Sequence, residues 1–152
     1  MYPSIDAPPN FDSPDDRLFM LQGILSAQKI HEGKNRDQDA PAIFVIKHGL
    51  TTYTTIGRLS GFKSGVRRYF TPGSENSTEL AVYPYSSRRS PFSDGGDSGS
   101  IVIDTSGKFV GLLTTGAGPT RSTDITYASP MYWLWDIIKG RFPGANLYFD
   151  NI

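Results

Sequence analysis

The sequence predicts an all-β domain, an antiparallel barrel or sandwich of about six strands that ends in one α-helix. Short runs of β-branched and aromatic residues recur at roughly even spacing, separated by turns rich in Gly and Pro. Only residues 129–142 show clear helical spacing of apolar residues. The chain has 152 residues, of which 38% are hydrophobic and 12% aromatic, enough for the core of one domain.

Residues 1–41 are predicted to be an N-terminal arm that leads into the folded body, which is expected to span residues 42–152. Residues 1–16 are rich in Pro and Asp and indicate an extended coil. Residues 17–25, "RLFMLQGIL", are predicted to form a short apolar helix or strand that docks on the body. Residues 26–41 are polar and are predicted to form a loop.

The strand predictions begin at Ala42. A turn at 48–50 follows the first run, and "TPGSENS" is expected to form another turn. "TSG" (105–107) is typical of a hairpin connection. The predicted strands are "AIFVIK" (42–47), "TTYTTIGRL" (51–59), "GVRRYF" (65–70), "TELAVYPY" (78–85), "SIVID" (100–104), "KFVGLLTT" (108–115) and "TDITYAS" (123–129).

The C-terminal segment "SPMYWLWDIIKGRF" (129–142) predicts a helix. Ser129 is a favoured N-cap residue, and Pro130 is favoured at the first helical position. Apolar residues recur at helical spacing and are expected to form a buried stripe: Met131, Leu134, Trp135, Ile138 and Phe142.

Charge and composition exclude several classes of function. The formal net charge is zero, and Arg67 and Arg68 should point to opposite faces of a strand, so we expect no nucleic-acid partner. No run approaches the length of a membrane span, so no membrane partner is expected. Carboxylates lack metal-site spacing, so no metal or other cofactor is expected. The lack of cysteine and of a signal-peptide pattern predicts an intracellular protein.

The stretch "FSDGGDSGSIVID" (92–104) places a glycine-rich turn directly before a strand. Such a turn can aim the backbone N–H groups of Gly96 and Ser98 at one point in front of the Ser98 hydroxyl. A serine nucleophile needs this arrangement, because donors must stabilise the oxyanion that forms. A β-turn capped by the buried side chain of Asp97 is the simpler interpretation, and composition alone leaves both open.

The turn and its flanks resemble the C-terminal barrel of trypsin/chymotrypsin-fold serine peptidases. The resemblance rests on "GDSGS", the "DTSGKFVG" hairpin and "LLTTG", with "FVIKHGLTTYTTIGRL" similar to the opening strands. "DITYASPMYWLWDIIKGRFP" is similar to the closing strand and helix. Within this family, the segments "SPDDRL", "GDSGS" and "DITYASP" resemble trypsin-like proteins of mushroom-forming fungi. The match covers about residues 11–148 and implies a six-stranded Greek-key barrel, the C-terminal half of a double barrel.

The resemblance also implies roles for individual residues. Ser98 would be the nucleophile, Gly96 and Ser98 the oxyanion donors, and Asp97 the carboxylate that shapes the turn. The substrate, a peptide or protein, would pair with an edge strand and enter a specificity pocket. The residues implied for the edge strand are Thr114, Thr115 and Gly116. Phe92 would be the apolar floor of the pocket, or would fill it with its side chain. Ile125 and Gly116 would border the pocket.

The general base and its carboxylate are missing from the matched part, because both lie in an N-terminal barrel in this family. His48 follows the first strand and His31 lies in the predicted loop, and neither has the sequence context of a catalytic base. His31 stays open as an alternative base, because Asp37 and Asp39 follow it and give the order His, Asp, Ser. We therefore expect the chain to be inactive alone, with a missing N-terminal barrel or a second copy as partner. The alternatives are a non-catalytic pseudopeptidase that binds peptides and a structural module without a cleft.

Overall fold

A computed structural model of the chain describes residues 20–32, 42–85, 91–117 and 125–147. The predicted extended arm at 1–16 and the second part of the predicted loop, 33–41, lie outside the described residues. Among the described residues, no helix is both long enough and apolar enough to cross a membrane.

Six antiparallel strands form a closed barrel in the order β1-β2-β3-β6-β5-β4. Residues 45–47 of β1 pair with residues 102–104 of β4, which closes it. Because β6 returns beside β3 while β4 lies on the far side of β1, the connections form a Greek key. The elements are α1 (Ala27–Glu32), β1 (Ala42–Gly49), β2 (Tyr53–Phe70), β3 (Gly73–Pro84), β4 (Ile101–Asp104), β5 (Phe109–Ala117), β6 (Ile125–Pro130) and α2 (Met131–Arg141).

The core fills the barrel interior with alternate residues of the strands, as the period of two requires. In β6, for example, Thr126, Ala128 and Pro130 are buried and the residues between them are half-buried. The core cluster also includes side chains that are fully buried: Val45, Leu59, Leu80, Val82, Phe92, Val102 and Val110. The prediction of a six-stranded antiparallel Greek-key barrel with a C-terminal helix is confirmed.

Strands β2 and β3 are longer than the sequence pattern indicates. The predicted strands at 51–59 and 65–70 are one strand of 18 residues, β2. Residues 73–77 belong to β3, so the predicted turn at "TPGSENS" shrinks to Thr71 and Pro72, which a cis peptide bond joins. Cross-strand pairing overrides turn propensity here, because each residue of 73–80 has a partner in β2. His48 lies within β1, not in a turn.

The prediction of Ser129 as N-cap of the helix is wrong. Ser129 lies in β6, where it pairs with Leu112 and donates a hydrogen bond to Glu79 Oε2 at 3.0 Å. Pro130 is the N-cap and makes no side-chain capping bond.

The predicted buried stripe of α2 is wrong in extent. Helix α2 covers the barrel without any fully buried residue. Phe142 lies beyond the helix end and is 68% exposed. The other four residues of the predicted stripe are half-buried. This side of the helix therefore contacts the barrel but is not enclosed by it.

Residues 20–25, the described part of the apolar segment predicted at 17–25 (the lead-in), dock on the barrel in an extended conformation. Ile24 forms a parallel bridge with Phe109, and backbone hydrogen bonds join Leu25 N to Phe109 O and Phe109 N to Gly23 O, each 2.8 Å long. Residues 27–32 form helix α1, so the loop predicted there is wrong. Leu25 and Ile30 are buried in the barrel core.

Replacement of Leu25 by Ala tests whether the lead-in belongs to the folded unit. Leu25 is 4% exposed, and a Leu→Ala change at a buried site costs about 2–5 kcal/mol. We expect the free energy of unfolding, measured by urea denaturation, to fall by that amount. Met20→Ala is the control, because Met20 is 58% exposed and should change stability by less than about 0.5 kcal/mol. Equal effects would contradict docking of the lead-in.

Candidate functional site

The site is built on a tight turn at residues 94–97, three residues before β4 begins. Asp97 N donates to Asp94 O at 3.0 Å, and Gly96, the third residue of the turn, has φ +100°. A four-residue turn with this hydrogen bond and a positive φ at its third position has the features of a type II turn, which requires glycine there. The glycine at position 96 therefore permits the backbone conformation that this turn needs.

The buried side chain of Asp97 holds the turn in place. This side chain is fully buried and its two carboxylate oxygens accept hydrogen bonds from five donors. Lys47 Nζ forms a buried ion pair with Oδ2 at 3.0 Å and also contacts Thr52 Oγ1. The other four donors are Thr51 N at 2.7 Å, Thr52 N at 3.3 Å, Thr52 Oγ1 at 2.6 Å and Asp94 N at 3.1 Å.

The carboxylate of Asp97 is ionised at neutral pH. Burial by itself would raise its pKa, because burial penalises the charged form. The hydrogen bonds from Thr52, Thr51, Lys47 and Asp94 outweigh burial and hold the pKa of Asp97 well below its usual range. The turn is thus tied to β1 and to the turn after it by a charged network.

Two glycines make room for this network. A Cβ at Gly49 would lie 2.8 Å from Asp97 Cγ and 2.9 Å from Ser100 Oγ, so a side chain there would displace the carboxylate. A Cβ at Gly96 would lie 2.5 Å from Thr51 Oγ1, which itself donates to Gly95 O at 2.7 Å. The glycine content of the turn therefore serves both the backbone angles and the close approach of Thr51.

The Ser98 hydroxyl is exposed and points to strand β5. Its Oγ donates to Thr114 O at 3.3 Å. Thr114 is an extra residue in the pairing of β5 with β6, which shifts between Leu113 and Thr115, so a β-bulge turns its carbonyl out of the ladder. Gly99 N donates to Leu113 O at 2.8 Å and fixes the turn against the same strand.

The backbone N–H groups of Gly96 and Ser98 have no acceptor among the residues that the structure describes. Both flank Asp97, whose own N–H is used within the turn. The arrangement leaves two donors of one turn for an anionic or carbonyl oxygen, beside an exposed hydroxyl.

The residues expected to bind substrate lie around the end of β5. Pairing of β5 with β4 ends at Leu112, so Thr115 and Gly116 have only β6 as a ladder partner in the described residues. Ile125, half-buried, is paired with residue 117 of β5.

Phe92 lies in the hydrophobic core and is 1% exposed. A Cβ at Gly57 would lie 2.7 Å from its ring atom Cδ2, so the ring lies against the backbone of β2. Beside it, the hydroxyls of Ser93 and Thr126 are hydrogen-bonded at 2.6 Å and are both buried. The ring thus occupies interior space, and the residue that follows it in the chain, Ser93, belongs to a buried polar pair.

No imidazole contacts Ser98 within the described part of the chain. His48 is exposed on β1, and its Nδ1 is 2.9 Å from Thr54 Oγ1. His31 is exposed in the last turn of α1. Among the described residues, no group of three or more His, Asp or Glu side chains could hold a metal ion. Within these ranges the site consists of a hydroxyl and backbone donors.

Sequence reasoning missed the role of Lys47. This side chain is 1% exposed although lysine is among the residues least often buried. The sequence feature that indicates a buried lysine is the alternation in β1, where Val45, Lys47 and Gly49 all point inward. A lysine at an inward position of a strand predicts a buried anion, and Asp97 was the candidate.

Removal of the Lys47 ammonium should destabilise the fold strongly. Lys47→Ala leaves the Asp97 charge buried without its cation, and breaking a buried pair in this way costs about 3–5 kcal/mol. Chemical denaturation measures the loss. Lys29→Ala is the control, because Lys29 is exposed on α1 and should change stability little. A loss below about 1 kcal/mol for Lys47→Ala would mean that the pair does not hold the turn.

Stability should also fall in acid because of Asp97. Its pKa is lower in the folded than in the unfolded chain, so its contribution is complete above the unfolded pKa of about 3.9 and is lost as pH falls below it. We expect the free energy of unfolding to decrease from about pH 5 downward. In Asp97→Asn this decrease should be smaller, whereas the exposed-site control Asp136→Asn should retain it. Parallel curves for Asp97→Asn and the unchanged chain would exclude this cause.

Comparisons with known proteins agree with the barrel. No protein-family model and no curated protein sequence matches the chain. Solved structures do: chymotrypsin of Cellulomonas bogoriensis is 18% identical with a TM-score of 0.50, covering 80% of this chain and 52% of its own. Protease A of Thermobifida fusca is 20% identical with a TM-score of 0.51, covering 78% of this chain and 51% of its own.

The chain spans about half the length of these two structures. At such low identity the likeness shows the fold alone. Together with the strand order and the terminal helix, it shows that this chain has the fold of one half of a trypsin-like double barrel.

Proposed function

We propose that the chain is the C-terminal barrel of a trypsin-like serine endopeptidase, with Ser98 in the nucleophile position. The observation that carries the proposal is the turn held by Asp97, which leaves the N–H groups of Gly96 and Ser98 without acceptors beside an exposed hydroxyl. Two such donors stabilise the oxyanion of acyl transfer. The likeness to two bacterial proteases supports the same half-barrel, and the fungal-type resemblance remains a prediction.

In the proposed reaction Ser98 Oγ attacks the carbonyl carbon of a peptide bond. The new C–O bond forms as the carbonyl electron pair moves to oxygen, which accepts hydrogen bonds from Gly96 N and Ser98 N. A base must take the hydroxyl proton and return it to the leaving nitrogen as the C–N bond breaks. The described residues bring no such base to Ser98, so we propose that an N-terminal barrel, or a second copy, supplies it.

Substrate would bind along the end of β5. Residues Thr114 to Gly116 follow the last pairing of β5 with β4, and an extended peptide could add there as a strand. Phe92 occupies core space, which favours a filled or shallow specificity pocket rather than one that accepts a long cationic side chain. Ile125 would border that pocket.

A second candidate function is peptide binding without hydrolysis. The hydrogen bond from Ser98 Oγ to Thr114 O favours it, because a backbone carbonyl cannot accept the proton of an attacking hydroxyl. Under this alternative, Thr114 to Gly116 bind a peptide and Ser98 has no chemical role.

Two probes on the isolated chain test the proposal. A fluorophosphonate should not label Ser98 stoichiometrically, because its hydroxyl is not activated. A peptidyl boronic acid should bind weakly but saturably. Its boron bonds to Ser98 Oγ with release of a proton to solvent, and the boronate oxygen accepts from the two amides. Amide NMR shifts of Gly96 and Ser98 are the readout.

Ser98→Ala should abolish the saturable shifts, and Ser74→Ala, at an exposed position of β3, should retain them. Shifts of residues 114–116 alone would support the peptide-binding alternative. Fluorophosphonate labelling of Ser98 that disappears in His31→Ala would instead show that the chain contains its own base.

A further inference from the structure

The β2–β3 hairpin extends beyond the barrel as a two-stranded ribbon. Residues 63–70 of β2 pair with residues 73–80 of β3. Pairing of β2 with β1 ends at Ser60, and pairing of β3 with β6 includes only residues 80–82. In the part of the chain that the structure describes, the outer edges of the ribbon therefore have no strand partner.

A ribbon of this kind is a natural site for a third strand. An isolated two-stranded hairpin is at best marginally stable in water, and a third strand with side-chain contacts stabilises it. The eight paired residues of each strand project roughly 27 Å. Their unpaired N–H and C=O groups can accept another extended chain.

Beyond Leu80, which is buried at the barrel end, one face of the ribbon is exposed and carries positive charge without negative charge. Lys63, Gly65, Arg67 and Tyr69 alternate along β2 on this face and are all exposed. The residues opposite them at the exposed end of β3 are neutral: Ser74, Asn76 and Thr78. The carboxylates of β3 lie on the other face, because Glu75 and Glu79 pair with residues 68 and 64.

The two cations of this face are held in place. Lys63 Nζ lies 5.6 Å from the centre of the Tyr132 ring, at the barrel end of the ribbon. Arg67 Nε donates to Asn76 Oδ1 at 2.7 Å, which leaves the terminal guanidinium nitrogens toward solvent. Between them Gly65 has open space where a side chain would be, so a ligand side chain can lie there.

We propose that the outer edge of β2, residues 62–70, binds an extended acidic peptide as a third strand. Backbone hydrogen bonds supply the pairing, and two carboxylates four residues apart in the peptide meet Lys63 and Arg67. These cations are four residues apart on one face, roughly 13 Å, which matches the spacing of such carboxylates. Tyr69 extends the contact surface toward the hairpin turn.

Charge favours this occupant over a second copy of the chain. A symmetric pairing of two β2 edges would place Lys63 and Arg67 of the two copies on one sheet and repel them. The β3 edge is less suited to an acidic strand, because Glu75 is exposed on it. This surface is distinct from the Ser98 site, so the inference does not depend on the proposed function.

The test is a titration of the full chain with a fluorescent peptide, acetyl-Thr-Glu-Val-Thr-Val-Glu-Thr-amide, followed by anisotropy. Hydrogen exchange locates the strand. We expect saturable, salt-sensitive binding, with protection of backbone amides in residues 62–70 and no new protection in residues 73–78. The same peptide with Lys in place of both Glu residues should bind at least tenfold more weakly. Equal binding of both peptides would overturn the proposal.

Charge reversal on the protein completes the test. Lys63→Glu and Arg67→Glu should each weaken binding of the acidic peptide at least fivefold, and the double variant should bind the lysine peptide better than the acidic one. Arg141→Glu, an equal charge change at the end of α2, is the matched control and should bind normally. Thermal unfolding shows that each variant folds. Unchanged affinity in folded Arg67→Glu, or protection at 73–78 instead, would refute the assignment.

Discussion

The buried carboxylate of Asp97 is the constraint on which the rest of the site depends. An isolated charge in the barrel interior would be prohibitively costly, so it must have a cation and several donors. Lys47 and the backbone of Thr51 and Thr52 supply them from β1 and from the turn that follows it. Since β1 also pairs with β4, directly after the Ser98 turn, the same strand closes the barrel and holds the turn.

This network fixes geometry more than it adds net stability. A buried ion pair gains little over apolar side chains of equal volume, because desolvation offsets the Coulomb attraction. The pair fixes the orientation of the carboxylate, because five donors bind its two oxygens in one arrangement. This orientation in turn holds Asp97 N in its hydrogen bond to Asp94 O. Gly49 is part of the same constraint, because only a residue without Cβ leaves space for the carboxylate.

The sequence was sufficient to predict where most of the strands, the terminal helix and the serine turn lie, since these depend on local pattern, but not the bounds of β2 and β3. The roles of residues whose partners are distant in the sequence could not be predicted from it. Lys47 has its partner fifty positions along the chain, and lysine in a strand is ordinarily exposed. Ser129 has the propensity of an N-cap, but pairing with Leu112 and the bond to Glu79 keep it in a strand. Residues 73–77 look like a turn and become strand because β2 pairs with them.

The site separates orientation of the hydroxyl from its activation. The bulge at Thr114 turns a carbonyl toward Ser98, and this carbonyl orients the hydroxyl but cannot take its proton at neutral pH. The amide donors, by contrast, depend only on Asp97 and Gly96, which belong to this barrel. Under the proposed function, the two amide donors and the oriented hydroxyl form within this half-barrel, whereas a base that activates Ser98 is brought to it by none of the described residues. Under the proposed function, the reactivity of this turn therefore depends on whether another barrel or a second copy brings a base to Ser98.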